Sequence, residues 1–280
     1  MTPLEFTLIA LASSFGAGVL GSLLGLGGGV VVIPVLTLLL GVDIRLAIAA
    51  SAIAVVATSC SGATEHVKSG LANLRLAVFL ELGAAAGALT GAFLSGVLAS
   101  RALFVIFGVM LALSGAILLR KSRLPAAAAP EAPADLPGSD SLRLGGVCVD
   151  EDGRPFRYRV QRPGLGLGLI YLAGFFGGML GVGAGVLKVP ALDLAMKVPW
   201  RASTATSTLM IGVTAAASAG VFLGRGDVAP IVAAPVAVGV VFGAQVGSRL
   251  SRSMPSWATR ALFLGVVAWV SVQMIRKGLA

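Results

Sequence analysis

The chain is poor in the side chains that build most catalytic and metal sites. Its 280 residues include two cysteines, Cys60 and Cys148, and a single histidine, His66. Cys60 lies in an apolar run and Cys148 in a hydrophilic stretch, so no disulfide framework is expected. These few residues form no convincing metal or catalytic set. We therefore expect no enzyme, no metal and no other cofactor.

Charged residues are also scarce. They make up 12% of the chain, whereas soluble domains carry roughly 25%. Hydrophobic residues account for 57% and the mean hydropathy is +0.96, so most of the chain must lie in a lipid bilayer. The net charge of +9 could indicate nucleic acid. The basic residues, however, lie in loops between apolar runs, where they orient a membrane protein, so we exclude nucleic acid as a partner.

A glycine-rich segment occurs twice in the chain. Residues 21–34 read GSLLGLGGGVVVIP and residues 177–190 read GGMLGVGAGVLKVP, at an offset of 156. An apolar chain with two copies of a glycine-broken segment is typical of a transporter built from repeated halves.

Each half contains five apolar segments, and most of them approach the length of about 20 residues that a membrane span needs. The second segment of each half is short, and could be a tilted span or a half-helix that turns back. We expect an all-α polytopic membrane protein with pseudo-symmetric repeats at 1–119 and 164–280. The ten segments are 4–25, 28–41, 45–64, 74–99 and 102–119, then 165–182, 185–197, 201–223, 229–251 and 258–276.

The hydrophilic linker, residues 120–163, separates the two repeats. Its Asp152-Gly153 pair lies between two short alternating runs and predicts a β-hairpin. If all ten segments span, fifteen Lys and Arg residues lie on the linker side and five on the other. This bias predicts a cytoplasmic linker and termini outside. Five spans per half would make the repeats inverted, whereas four would make them parallel; the charge bias favours five.

The glycine breaks are the first candidate binding site. Consecutive glycines disfavour a helix by roughly 1 kcal/mol each, and a helix that resumes after them exposes unpaired N–H groups and a positive dipole end. Glycine also lets an anion approach these donors closely. The alternative is that the glycines only permit tight helix crossings. The predicted anion-binding residues are Gly25, Gly27, Gly28, Gly29, Gly181, Gly183 and Gly185.

Two ionisable residues lie inside apolar segments. Lys188 could neutralise a bound anion directly, since a charge inside a membrane is costly and usually functional. Alternatively, it could pair with Asp193 or extend to the membrane surface. Glu81 lies in the middle of the fourth segment and is a candidate proton carrier. His66, at a membrane edge, could have the same role, but a solvated loop histidine is the favoured interpretation.

Matched polar residues complete the candidate site. Arg45 and Arg201, each at the start of a third segment, could attract anions into two vestibules or anchor the helices at the interface. Ser51 and Ser207 could donate hydrogen bonds to substrate oxygens or join neighbouring helices.

The motifs GLGGG-x4-P at 25–34 and GVGAG-x4-P at 181–190, together with the duplicated halves, resemble the sulfite exporter TauE/SafE family of bacterial membrane carriers. The resemblance covers nearly the whole chain except the insert at 120–163. It implies a protein of the bacterial inner membrane that transports sulfite, sulfoacetate or related organosulfonates. Ala184 replaces the glycine that the first copy has at Gly28, so the second loop would be less open.

The sequence therefore predicts a carrier that exports a small sulfur-containing anion by alternating access. A carrier of a cation or another metabolite at the same broken helices is the alternative, and so is proton-coupled anion uptake. The expected partners are the anion, the lipid bilayer and a second copy of the chain in a homodimer.

Overall fold

The computed structural model describes residues 2–23, 28–68, 72–123, 144–149, 155–183, 185–251 and 256–279. These residues form ten α-helices, two of which continue into a π-helical turn, and one pair of short strands. The bounds are α1 (Pro3–Leu23), α2 (Gly29–Pro34, then π-helical Val35–Leu39), α3 (Ile44–Lys68), α4 (Leu74–Val97), α5 (Ser100–Arg123), β1 (Gly146–Val149), β2 (Pro155–Tyr158), α6 (Pro163–Met179), α7 (Gly185–Pro190, then π-helical Ala191–Ala195), α8 (Trp200–Gly224), α9 (Pro230–Ser251) and α10 (Ser256–Leu279).

Several of these helices match the dimensions of a membrane. Within the described residues, four are long and apolar enough to cross a bilayer, namely Pro3–Ser22, Leu74–Val97, Ala202–Gly224 and Pro230–Gly247. The outer face of α4 exposes Val78, Leu82 and Val97, which suits contact with lipid rather than water. The expected all-α membrane protein is confirmed at this level.

The two short segments are half-helices by length. Each combines six α-helical with five π-helical residues, which at about 1.5 Å per residue gives roughly half of a 30 Å hydrocarbon core. In both copies the π turn begins directly after a proline, Pro34 or Pro190. Proline lacks an N–H and crowds the carbonyl of the preceding turn, so a wider turn accommodates it.

The first helix of each half packs on the fourth helix of the other half. α1 lies against α9, and α6 lies against α4. A Cβ atom on Gly243 would lie 2.1 Å from the Phe15 carbonyl oxygen, and one on Gly87 would lie 2.1 Å from that of Tyr171. Both contacts need glycine, because only glycine lets two backbones approach this closely. The two contacts are themselves 156 residues apart.

The fifth helices of the two halves pack against each other and run antiparallel. In the α5–α10 pair, Gly278 lies against Arg101, whereas Gly115 lies against Val267. α3 and α8 also pack together, with Ser59 beside Gly212. In the α5–α10 pair, a helix of the first half therefore runs in the opposite direction to its counterpart in the second half.

The strands β1 and β2 pair antiparallel, with Gly146 opposite Tyr158. The buried Tyr158 hydroxyl accepts a hydrogen bond from Asn73 Nδ2 at 3.0 Å, and Asn73 also caps α4 through the Leu76 N–H. This contact gives the small hairpin the support that an isolated one lacks in water. The predicted turn at Asp152-Gly153 lies outside the described residues.

Candidate functional site

The glycine breaks interrupt the chain between α1 and α2 and between α6 and α7. Gly28, Gly181 and Gly183 have φ values of +38°, +63° and +68°, a region that L-residues with side chains rarely adopt. A Cβ atom on Gly21 would lie 2.4 Å from the Gly28 Cα atom, so the chain folds back tightly against the end of α1. Two of the predicted binding residues, Gly25 and Gly27, lie outside the described residues.

The two breaks meet at Ser51, two turns into α3. The buried Ser51 hydroxyl lies 3.0 Å from the Gly181 carbonyl oxygen and 3.3 Å from that of Gly29, and its single proton can serve either acceptor. A Cβ atom on Gly29 would lie 3.5 Å from the Val182 Cα atom. Segments separated by about 150 residues in the sequence are thus neighbours, and in this conformation Ser51 joins them.

Apolar side chains close the breaks. A Cβ atom on Gly29 would lie 2.6 Å from Val55 Cγ2, and a Cβ atom on Gly185 would lie 2.4 Å from Ile211 Cδ1. All the described glycines of the predicted site are buried. Tight crossings are therefore present at the breaks, with Val55 and Ile211 packed directly against the glycines.

A buried cluster of charged and polar side chains lies beside the second break. Lys188 on α7 is fully buried, and its Nζ atom lies 3.8 Å from Glu81 Oε2 on α4. The ammonium group also donates to the Met210 carbonyl oxygen at 3.2 Å and to the Thr214 hydroxyl. The Thr214 hydroxyl in turn lies 2.6 Å from Glu81 Oε1 and donates to it. Lys188 therefore forms its ion pair with a helix of the other half.

This ion pair is not repeated at the positions that the internal duplication relates to it. At the offset of 156, the counterparts of Lys188 and Glu81 are Val32 and Ala237. A buried ion pair often stabilises a protein no better than apolar residues of the same size, and ionisable residues inside a membrane usually mark a functional site. The repeat-related positions have apolar residues, so the fold does not need an ion pair at such a contact.

Thr214 was not among the residues that the sequence singled out, although it links both members of the pair. The repeat offers the signal for it, because Thr214 lies 156 residues after Thr58. The Thr58 hydroxyl donates back to its own helix, at 3.1 Å from the Ala54 carbonyl oxygen. Thr214 has its different role because its partners Glu81 and Lys188 lie on the neighbouring helices α4 and α7.

Ser207, the counterpart of Ser51, is buried and its hydroxyl has no hydrogen-bond partner among the described residues. It precedes Met210, Ile211 and Thr214 by one to two turns of α8, and so lies on the face that carries the site.

The two serines are expected to respond differently to removal of the hydroxyl. Ser51→Ala loses the hydrogen bond to Gly181 and should lower the free energy of unfolding by about 1 kcal/mol. Ser207→Ala loses no such bond and should leave stability unchanged or raise it. Denaturant titrations of both variants in detergent measure the difference, and equal losses would contradict this assignment.

Arg45 lies at the start of α3 and its side chain reaches the end of α4. Its Nη2 atom donates to the Leu98 carbonyl oxygen at 2.8 Å, so it satisfies one of the carbonyl groups that a helix end leaves unpaired. In this conformation it acts as a cap. The side chain of its counterpart, Arg201, is outside the described set.

A protein-family comparison assigns the chain. A family described as "Sulfite exporter TauE/SafE" matches residues 10–274. The chain belongs to the sulfite exporter TauE/SafE family. This match spans both glycine breaks and the Lys188–Glu81 pair, so the site described above lies wholly within the family's shared region.

Curated relatives of this TauE/SafE protein carry transporter names. The probable membrane transporter protein YunE of Bacillus subtilis is 27% identical over 270 residues, which cover 94% of this chain and 95% of the relative. A probable membrane transporter protein of Xylella fastidiosa is 27% identical over 75% of this chain and 71% of its own length. YdhB of Bacillus subtilis, also a probable membrane transporter protein, is 25% identical over 89% and 93%. No solved structure matches the chain. The protein is accordingly a membrane transporter.

Proposed function

We propose that this transporter exports small sulfur-containing anions such as sulfite or organosulfonates of the sulfoacetate type. The observation that carries this proposal is the fully buried Lys188, three residues past the Gly185 break. A fixed cation beside a set of backbone N–H groups suits an anion. The name of the family supports sulfur oxyanions as the class.

The proposed architecture is a pair of inverted five-segment repeats, residues 1–119 and 164–280, in the inner membrane of a bacterium. The antiparallel packing of α5 with its counterpart α10 and the contacts that recur after 156 residues support this arrangement. The charge bias supports a cytoplasmic linker at 120–163 and termini outside. In this arrangement the substrate site lies between the repeats, and alternating access opens it to one side at a time.

The proposed binding residues are those on which the two halves converge. Gly28, Gly29, Gly181, Gly183 and Gly185 supply the backbone, and Lys188 the charge. Ser207 offers a hydroxyl that has no partner among the described residues, whereas Ser51 must first release a carbonyl oxygen. Arg45 and Arg201 are proposed to line the two vestibules. Outward transport is favoured because an interior-negative potential of 100 mV contributes about 2.3 kcal/mol per negative charge moved.

Cation transport is the second candidate, since Glu81 Oε2 has no hydrogen-bond partner among the described residues. The two candidates differ in which charge matters more. In an anion carrier, replacement of Lys188 removes anion binding, whereas replacement of Glu81 changes only how binding depends on pH. In a cation carrier, Glu81 is indispensable for binding.

The proposal is tested by thermal stabilisation of the purified protein against sulfite, thiosulfate, sulfoacetate, taurine, sulfate and acetate, followed by flux of the best ligand in proteoliposomes. A ligand of the folded state raises the melting temperature by mass action. Selective stabilisation by sulfur oxyanions is expected. Stabilisation by a cation alone would favour the second candidate.

The variant Gly28→Val tests whether transport depends on the first glycine break. The variant should insert normally but lose flux. Its Cβ atom would lie 2.6 Å from Val240 Cγ1, and the positive φ of residue 28 is strained for valine. Gly226→Val is the matched control, since Gly226 also has a positive φ but has no atom within 4 Å of its Cβ position. Normal flux in Gly28→Val would contradict the backbone site.

A further inference from the structure

We propose that Glu81 takes up one proton for each anion that binds at Lys188, so that the carboxyl group and the substrate exchange places as partners of the ammonium group. This inference rests on the proposed function and adds the ion that is coupled to it.

Lys188 already has three partners before any substrate arrives. Its ammonium group donates hydrogen bonds to the Met210 carbonyl oxygen at 3.2 Å and to the Thr214 hydroxyl, and it faces Glu81 Oε2 as an ion-pair partner at 3.8 Å. Because Lys188 is fully buried among these partners, an anion that binds it must displace one of them. Glu81 is the partner whose displacement also releases a charge.

Charge balance determines what must happen to Glu81. With an ionised Glu81, one buried ammonium would face both a carboxylate and a substrate anion, and the excess negative charge would be strongly unfavourable inside a membrane. When Glu81 binds a proton from water, the loaded site holds Lys188, a neutral carboxyl group and a monovalent anion. The empty and loaded sites then have the same net charge.

No other described residue can supply this balance. α6 presents Tyr171, whose hydroxyl pairs with Thr90 further along α4, and α8 presents the uncharged Thr214 to the pair. Arg201 lies at the other end of α8, and Asp193 lies more than one turn beyond Lys188. Among the described residues, Lys188 is the charged group that acts on Glu81, and Glu81 is the one that acts on Lys188.

Thr214 can transmit the change. Its single hydroxyl proton can go to Glu81 Oε1 at 2.6 Å or to the Met210 carbonyl oxygen at 2.9 Å. A neutral Glu81 no longer requires this donor, so the hydroxyl can turn toward Met210 or the anion. The Glu81 side chain is also 13% exposed, whereas that of Lys188 is 0% exposed, so Glu81 is the less deeply buried member of the pair.

Movement of one proton with each anion determines how strongly the membrane potential drives the transport of each substrate. One proton moving with divalent sulfite leaves one net negative charge, which the membrane potential still expels. One proton moving with a monovalent sulfonate leaves no net charge. The transport of that sulfonate then depends on the sulfonate gradient and on the pH difference across the membrane, and not on the membrane potential.

Methanesulfonate is a suitable probe because its charge does not change near neutral pH. In wild-type protein, its affinity from thermal shifts should fall about tenfold per pH unit above the point at which Glu81 loses its proton. Glu81→Gln mimics the protonated carboxyl group and should bind with an affinity independent of pH. Asp227→Asn is the matched control, since Asp227 forms an ion pair with Arg225 at a helix end and should retain the wild-type pH dependence.

Flux through wild-type protein provides a second measurement that does not depend on folding of the variant. Proteoliposomes containing a pH-sensitive dye should record one proton per methanesulfonate transported. Proton-free flux, or an unchanged pH dependence in Glu81→Gln, would overturn the coupling and leave anion transport standing. Failure of wild-type protein to bind any sulfur anion at any pH would instead overturn the proposed function and this inference with it.

Discussion

Lys188→Met is expected to abolish anion transport and to lower the free energy of unfolding by about 3–5 kcal/mol. The first effect follows because the variant has no buried cation for the substrate. The second follows because Glu81 keeps a buried carboxyl group, 3.8 Å from where the ammonium group lay, without a counterion. Flux in proteoliposomes and chemical unfolding in detergent measure the two effects separately.

A double variant separates the functional loss from the structural one. Lys188→Met combined with Glu81→Leu replaces the ion pair by apolar side chains of similar size, and such replacements are often neutral or stabilising. We expect the double variant to regain the stability that the single variant loses and to remain inactive. The repeat-related positions provide the precedent, since Val32 and Ala237 stand there. A double variant that transports sulfite would show that the pair is structural.

Gly181→Ala is expected to prevent normal folding. Its Cβ atom would lie 2.3 Å from the Ile48 carbonyl oxygen on α3, and its φ of +63° is strained for alanine. Gly41→Ala is a closely matched control, because Gly41 has a φ of +64° and no atom within 4 Å of its Cβ position. In the control, the free energy of unfolding should fall by only about 1–2 kcal/mol, which is the cost of placing alanine in the left-handed conformation.

Size-exclusion profiles and melting temperatures of the two glycine variants measure the contribution of the contact alone. Gly181→Ala should yield aggregated or strongly destabilised protein, whereas Gly41→Ala should remain monodisperse. Similar melting temperatures would mean that α3 can move away from the break at little cost.

The sequence was most informative where a feature is local. Helix lengths and glycine breaks follow from runs of apolar residues and from backbone propensity, so the predicted segment 74–99 differs little from α4 at Leu74–Val97. The short second segments remained ambiguous because length in residues does not give their path. The π turns after Pro34 and Pro190 were not predicted either, since they depend on how each proline fits the preceding turn.

The polar pairings could not be read from the sequence because they depend on packing between the halves. Lys188 and Glu81 are not related by the repeat, and the nearer Asp193 was the obvious partner for Lys188. Likewise, Ser51 and Ser207 occupy equivalent positions, yet Ser51 lies between two carbonyl oxygens whereas Ser207 has no such partner among the described residues. Equivalent residues in a duplicated chain acquire different roles when their neighbours differ.

The close contacts of α1 with α9 and of α4 with α6 also bear on which parts of the protein can move. Each pair takes one helix from each half, and its glycines hold the two backbones in direct contact. If one half swung as a rigid unit against the other, both contacts would have to separate. We therefore expect mixed helix pairs to move as rigid bodies during transport, with the glycine breaks that follow α1 and α6 as hinges between these pairs and the half-helices.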